Sequence, residues 1–107
     1  MARLIWTETA LSDVELIADY IAEGSPQQAA QFIERLFASV ERLERFPQSG
    51  HYVYDVPQIP LRQVLCGVYR VLYAYSAADD VCRIITVVHG SRNILELLAE
   101  RDFNESE

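Results

Sequence analysis

The stretch whose reading decides the fold is residues 61–89, LRQVLCGVYRVLYAYSAADDVCRIITVVH. Upstream of it, apolar residues recur at helical spacing. Here they recur every second residue, and β-branched and aromatic side chains dominate. That change of period, from 3.6 to 2, predicts strands. Leu61 to Cys66 reads as one strand. Val68 to Tyr75 reads as the next, joined through a tight turn at Gly67. Ala77-Ala78-Asp79-Asp80 makes another turn, and Val81 to His89 is a third strand. Connections this short predict antiparallel neighbours, so the three strands should form a meander.

Working outward, residues 47–60 contain Pro47, Pro57 and Pro60 and read as a loop. Before the loop, Phe32, Ile33, Leu36, Phe37, Val40, Leu43 and Phe46 form a helical stripe, ended by Pro47 and Gly50. Its start is marked by Ser25-Pro26-Gln27-Gln28: Ser at the N-cap, Pro at the first helical position, Gln three residues after the cap. This is a capping box with the proline where its missing N–H costs nothing. Further upstream, Ala10, Val14, Ile17 and Ile21 repeat at helical spacing, with Asp13, Glu15, Asp19 and Glu23 as polar positions between them. Thr7 offers that helix an N-cap and Gly24 a stop. So short a connection predicts an antiparallel helical hairpin. Arg3 to Trp6 is short and β-friendly, a first strand. After the third strand of the meander, Asn93 and Glu96 cap a last short helix from Ile94 to about Arg101. The order is β-α-α-β-β-β with a C-terminal helix. We read one α+β domain over residues 1–107, with a core at 3–92, a C-terminal helix and tail at 93–107, and the hairpin packed on the sheet.

Composition narrows the chemistry. The chain has 107 residues, a formal charge of −7 and nine basic residues, all of them arginine. Without lysine there is no Schiff base, no lysine general base and no lysine in a phosphate loop. The acidic total argues against a chain built mainly to grip nucleic acid, and no sequence-specific DNA binding is expected. The charge is uneven. Residues 60–92 carry Arg62, Arg70, Arg83 and Arg92 against two acids, whereas residues 1–59 carry four arginines against nine acids. Two cysteines and two histidines match no zinc spacing, so neither metal nor cofactor is expected. Cys66 and Cys82 read as reduced, buried residues of a cytoplasmic protein. No apolar signal segment follows Met1, and no apolar run reaches the roughly 20 residues of a membrane helix.

Several pieces, in order, resemble one known family. They are Trp6 followed by Ala10, Tyr20-Ile21, Ser25-Pro26 with Ala29 and Phe32, Phe46-Pro47 with Gly50, and Arg62. The most specific are Gly67-Val68-Tyr69-Arg70-Val71-Leu72-Tyr73 and Val88-His89-Gly90-Ser91-Arg92. Together they are similar to the RelE/ParE superfamily of bacterial toxins, over Ile5 to about Leu98, and more to its ParE branch. The resemblance implies a growth-inhibiting toxin of a type II toxin–antitoxin module, neutralised by a small cognate, ParD-like antitoxin. ParE-type toxins inhibit DNA gyrase and are not known as nucleases; RelE-type toxins are ribosome-dependent mRNA endonucleases. The family motif carries a second arginine where Ser91 stands. An inactive relative serving as a binding module is the third reading.

Cleaving RNA through its 2′-hydroxyl needs a base, an acid and cations for the phosphorane. After Arg92 the chain has no Tyr, His or Lys. A RelE-like set with a C-terminal tyrosine therefore cannot be assembled in that tail, although His89 or Glu96 remain as substitutes. We accordingly assign no catalytic residue and expect a binding protein. The candidate target- and antitoxin-binding residues are Arg62, Arg70, Arg92, His89, Ile94, Leu95 and Leu98. Arg70 lies mid-strand beside Val68 and Leu72, where an ion pair with a carboxylate competes with a target contact. Arg92 follows the last strand at the exposed sheet end. His89 is a titratable candidate or a hydrogen-bonded structural residue. Tyr69, Tyr73 and Tyr75 share a strand face, either to stack bases or, the reading we favour, to pack. Ile94, Leu95, Leu97 and Leu98 either dock on the chain's own sheet or mark a partner site, for an antitoxin or a second copy in a homodimer.

Overall fold

A computed structural model describes residues 1–101. The elements are β1 (Arg3–Trp6), α1 (Glu8–Gly24), α2 (Pro26–Glu41), a 3-10 turn (Arg42–Glu44), β2 (His51–Tyr52), β3 (Arg62–Cys66), β4 (Tyr69–Ser76), β5 (Val81–His89) and α3 (Ile94–Glu100). The five strands form one sheet in the order β1-β5-β4-β3-β2. The expected meander of β3, β4 and β5 is antiparallel, while β1 adds to β5 in parallel, Arg3 opposite Val81 through Trp6 opposite Ile84. β2 is a two-residue strand inside what reads as a loop; it pairs His51 with Gln63 and Tyr52 with Arg62.

Both helix starts form as their caps dictate. Thr7 Oγ1 accepts from the Ala10 N–H at 3.1 Å, and Ser25 Oγ accepts from the Gln28 N–H at 3.1 Å. Two details differ from the sequence reading. Gly24 remains helical, and the break falls at Ser25, held extended at φ −163° ahead of Pro26, as the clash with a following proline ring requires. The Ser25 N–H donates to the Ile21 carbonyl at 3.0 Å. It is thus taken by the helix before and is not left for Gln28 to complete the box. One residue closes α1 and opens α2.

The hairpin packs on one sheet face. Its core joins Ala10, Val14, Phe32, Leu36, Val40 and Leu43 to Val71, Tyr73, Cys82, Ile84 and Val87, with Trp6, Tyr69 and Tyr75 at the margins. Tyr69, Tyr73 and Tyr75 therefore do share a face, and it is a packing face: Phe32 and Tyr69 rings lie 5.2 Å apart. The stripe on α2 is narrower than its sequence suggests. Phe46 lies beyond the end of the helix and is exposed, as is Ile33. Asp13, expected as a polar surface position, is buried on the inner face of α1. Cys66 and Cys82 are buried free thiols, and burial, with smaller help from Asp80, pushes the Cys82 thiol up to about 11.

The other sheet face is covered in part. Val53, Val56 and Leu61 from the loop, and Ile94 and Leu97 from α3, close over Leu72 and Val88. The loop is pinned from beneath by Tyr73. Its hydroxyl accepts from the Gly50 N–H at 2.9 Å and donates to the Pro47 carbonyl at 2.8 Å. Burial raises the Tyr73 phenol above its ordinary value, opposed by the Gly50 N–H. A Cβ at Gly50 would lie 2.6 Å from the Tyr73 hydroxyl and 2.7 Å from the Gln63 carbonyl. Because one of these neighbours is backbone, Gly50→Ala should cost about 1–3 kcal/mol by overpacking. Urea denaturation of Gly50→Ala beside wild type measures the loss, and equal stability would contradict this close approach.

Candidate functional site

The candidate arginines end up in different situations. Arg70, on β4 facing away from the hairpin, is buried, with 6% of its side chain exposed against 19% for Asp55. Nη1 donates to Asp55 Oδ1 at 2.9 Å and to Gln63 Oε1 at 3.2 Å; Nη2 donates to Asp55 Oδ2 at 3.3 Å and to the Arg92 carbonyl at 3.0 Å. A fork gripping both carboxylate oxygens is the geometry a guanidinium favours. The Arg70 hydrogen bonds hold the Asp55 carboxyl below its ordinary value. Burial opposes this, while the arginine's charge and the backbone N–H groups of Asp55 and Ile94 reinforce it. Arg70 thus ties the 53–56 loop and the start of the C-terminal segment to the sheet. The ion pair with a carboxylate thus forms at Arg70.

Arg62 is equally occupied. Nη1 donates to the Gln48 and Gly50 carbonyls at 3.0 and 2.9 Å, Nη2 donates to the Tyr52 hydroxyl at 3.1 Å, and the guanidinium lies 4.2 Å from the Tyr52 ring centre. It is a strut beneath β2.

Arg92 is presented to solvent. Its side chain is 41% exposed and meets Glu100 of α3 at 2.8 Å, a carboxylate itself 60% exposed. A pair so open contributes at most about 1 kcal/mol and yields readily to a competing anion. Beside it, His89 Nδ1 accepts from the Ser91 N–H at 3.1 Å and lies 2.8 Å from Ser91 Oγ. The amide contact requires a lone pair on Nδ1, so the neutral ring carries its proton on Nε2 and receives the Ser91 hydroxyl. The His89 ring meets Tyr69 edge-on at 5.7 Å. Ser91, where the motif expects arginine, here serves to orient the histidine. His89, Ser91 and Arg92 are thus gathered at the end of β5 as a candidate site, with Arg92 reaching Glu100 of α3. Among the described residues no cluster of three or more His, Cys, Asp or Glu is placed to hold a metal ion.

The apolar candidates divide. Ile94 and Leu97 are fully buried, Leu98 is partly buried in the same cluster, and Leu95 is 56% exposed. Docking on the chain's own sheet claims this patch, because a seven-residue helix turns one stripe inward and leaves one position out. Ile94 is thus corrected from a partner contact to a core residue, and Leu95 is the part that faces outward.

Set beside known families, the chain matches the model of the ParE toxin of the type II toxin–antitoxin system, parDE, over residues 4–94. The chain belongs to the ParE toxin family. It is 30% identical over 92 residues to a curated protein named Toxin RelE2 of Caulobacter vibrioides, covering 86% of this chain and 99% of that one. Among solved structures it is similar to a chain of a chromosomal ParDE system from P. aeruginosa (TM-score 0.69, 19% identity, 83% of this chain and 96% of that one). It is also similar to a chain of the RelBE2 toxin–antitoxin complex from Mycobacterium tuberculosis (0.58, 22%, 82% and 96%). The isolated E. coli RelE toxin shares the fold at 0.57 and 15% identity, over 94% and 96% of the two chains.

Sequence reasoning missed one device of this ParE-family fold. Asp13 Oδ2 accepts from the Val87 N–H at 3.0 Å and from the Thr86 hydroxyl; Arg101 Nη1 donates to Thr86 Oγ1 at 2.7 Å and Nη2 to Asp13 Oδ1 at 3.3 Å. The carboxylate therefore caps the edge of β5 where β1 has ended, and Arg101 fixes the end of α3 to α1. A signal existed: Ala10, Asp13, Val14 and Ile17 follow i, i+3, i+4, i+7, which puts Asp13 on the apolar face. Asp13→Ala strands the Val87 N–H and the Thr86 hydroxyl, and should cost about 1–3 kcal/mol in chemical denaturation.

Proposed function

We propose that this ParE-family chain is a growth-inhibiting toxin that acts by binding, with DNA gyrase as its target, and that a cognate antitoxin neutralises it. The observation that carries the binding reading is the fate of the arginines. Of the four in the 60–92 segment, Arg62 and Arg70 are consumed in hydrogen bonds to the chain itself, so neither is available to grip a scissile phosphate, and Arg83 lines a separate depression with Arg3 and Asp79. Arg92 remains, beside a C-terminal segment without Tyr, His or Lys. An arginine presented alone at that sheet end suits recognition of an acidic surface better than stabilisation of a phosphorane, which calls for several converging cations. An antitoxin segment that folds on binding suits the exposed apolar positions of the hairpin, Leu16 and Tyr20 one turn apart on α1, together with Leu95.

The second reading, a ribosome-dependent mRNA endonuclease, is favoured by one local observation: His89, polarised by Ser91, stands beside Arg92. Induced expression in bacteria, with and without the neighbouring small reading frame, tests both. Growth arrest with loss of plasmid supercoiling, reversed by the neighbour, supports the gyrase reading. Codon-positioned cuts in primer extension, lost on Arg92→Ala, support the nuclease. Normal growth with full supercoiling sinks both toxin readings.

A further inference from the structure

Arg92 and Glu100 meet, Nη2 to Oε1 at 2.8 Å, between two posts that other contacts hold in place. On one side, the Arg92 N–H donates to the His89 carbonyl at 3.0 Å, and the Arg92 carbonyl accepts from Arg70 Nη2 at 3.0 Å. On the other, Ile94 and Leu97 are buried beneath α3, and Arg101, next to Glu100, reaches Thr86 and Asp13 at 2.7 and 3.3 Å. Neither backbone depends on the Arg92–Glu100 contact for its position. The fold itself therefore delivers a carboxylate to the one candidate arginine that faces solvent.

The grip is partial. Among the described residues, the contact with Glu100 is the only hydrogen bond of the Arg92 guanidinium. A guanidinium and a carboxylate are best matched through two parallel bonds, as Arg70 and Asp55 are. The two pairs thus differ in kind: the first is single and open to water, the second forked and largely buried. A carboxylate that forks onto Arg92 from outside gains a bond that Glu100 does not make. It displaces one side chain and moves no backbone.

We infer that Glu100 is an internal competitor for Arg92, occupying its guanidinium until a carboxylate on an acidic protein surface displaces it. This rests on the reading of Arg92 as the residue that meets the target, and it makes α3 a gate on that contact. The test is a titration of the full chain with an acetylated tetraglutamate peptide at low ionic strength, followed by the amide signals of residues 91 and 92. Glu100→Gln should bind the peptide about two- to fivefold more tightly than wild type, the range that loss of an open competing pair allows, with the thermal midpoint little changed. Glu96→Gln removes the same charge from an exposed position of the same helix, outside the Arg92 pair, and should gain less. The gain should vanish in Glu100→Gln/Arg92→Ala. No gain from Glu100→Gln, an equal gain from Glu96→Gln, or a gain that survives Arg92→Ala would overturn the competitor. A parallel arm measures inhibition of supercoiling by purified gyrase, where Glu100→Gln should be the stronger inhibitor. Gyrase left fully active by both chains, with the peptide gain intact, would remove gyrase as the target and still support the competitor.

Discussion

Arg70→Ala is expected to cost the fold about 3–5 kcal/mol, the usual penalty for removing one partner of a buried ion pair. The pair itself adds little net stability, since removing two charges from water nearly cancels their attraction. What the substitution does is leave Asp55 poorly solvated, free the Arg92 carbonyl and loosen the 53–56 loop in one step. Urea denaturation at neutral pH measures it. An Arg70→Met/Asp55→Leu double variant should recover much of the loss, since matched apolar replacements remove the stranded charge. The pair also has a pH signature. Its carboxyl sits below the ordinary 3.8 in the folded state, so its contribution is complete above that value. It declines as pH falls through the lower folded value. Arg70→Ala should therefore lose less stability in strong acid than at neutral pH, and an equal loss at both would contradict the assignment.

The second large effect separates neighbours two residues apart. Leu97 is fully buried against Val53, Val56 and Leu72, whereas Leu95 is mostly exposed on the same helix. Leu97→Ala should cost about 2–5 kcal/mol through the cavity it leaves. For a domain of this size that lowers the melting midpoint by roughly 4–8 °C per kcal/mol. Leu95→Ala should lie within about 0.5 kcal/mol of wild type, yet weaken binding of the antitoxin if α3 is part of its footprint. Calorimetry of the two variants, with a pull-down against the product of the neighbouring reading frame, reads both halves. Equal destabilisation would mean that α3 does not dock as described.

The fold was largely legible because its signals are local. Thr7, Ser25 and Pro26 mark the helix starts, Gly67 (φ +59°) marks the β3–β4 turn, and strict alternation sets the faces of β3 and β4. The parallel pairing of β1 with β5 was not legible, since it joins residues nearly 80 positions apart and no turn announces it. β2 escaped because two residues cannot display a period. The bulge that places Tyr73 opposite Ile84 after Leu72 opposite Thr86 shifts the inward set along β5, which alternation alone cannot foresee. At the site, Arg92 at the sheet end and Arg70 in an ion pair were readable from position and neighbours. The partners were not. Asp55 lies in a loop whose path depends on buried Val53 and Val56, and Arg62 holds backbone carbonyls, which are invisible in a pattern of side chains.

The knot of Asp13, Thr86 and Arg101 has a consequence for the order in which the molecule is made. The first helix carries a carboxylate with no neutralising partner until residue 101 has been synthesised, and β1 has no strand to join until Val81–Ile84 exists. Translation proceeds at roughly 5–20 residues per second, so the hairpin emerges seconds before the elements that complete it. The native surface, and with it any harm the protein does, is assembled only after Val81–Ile84 and Arg101 have been made. A partner present during synthesis would meet a nascent helical hairpin before it meets a finished toxin.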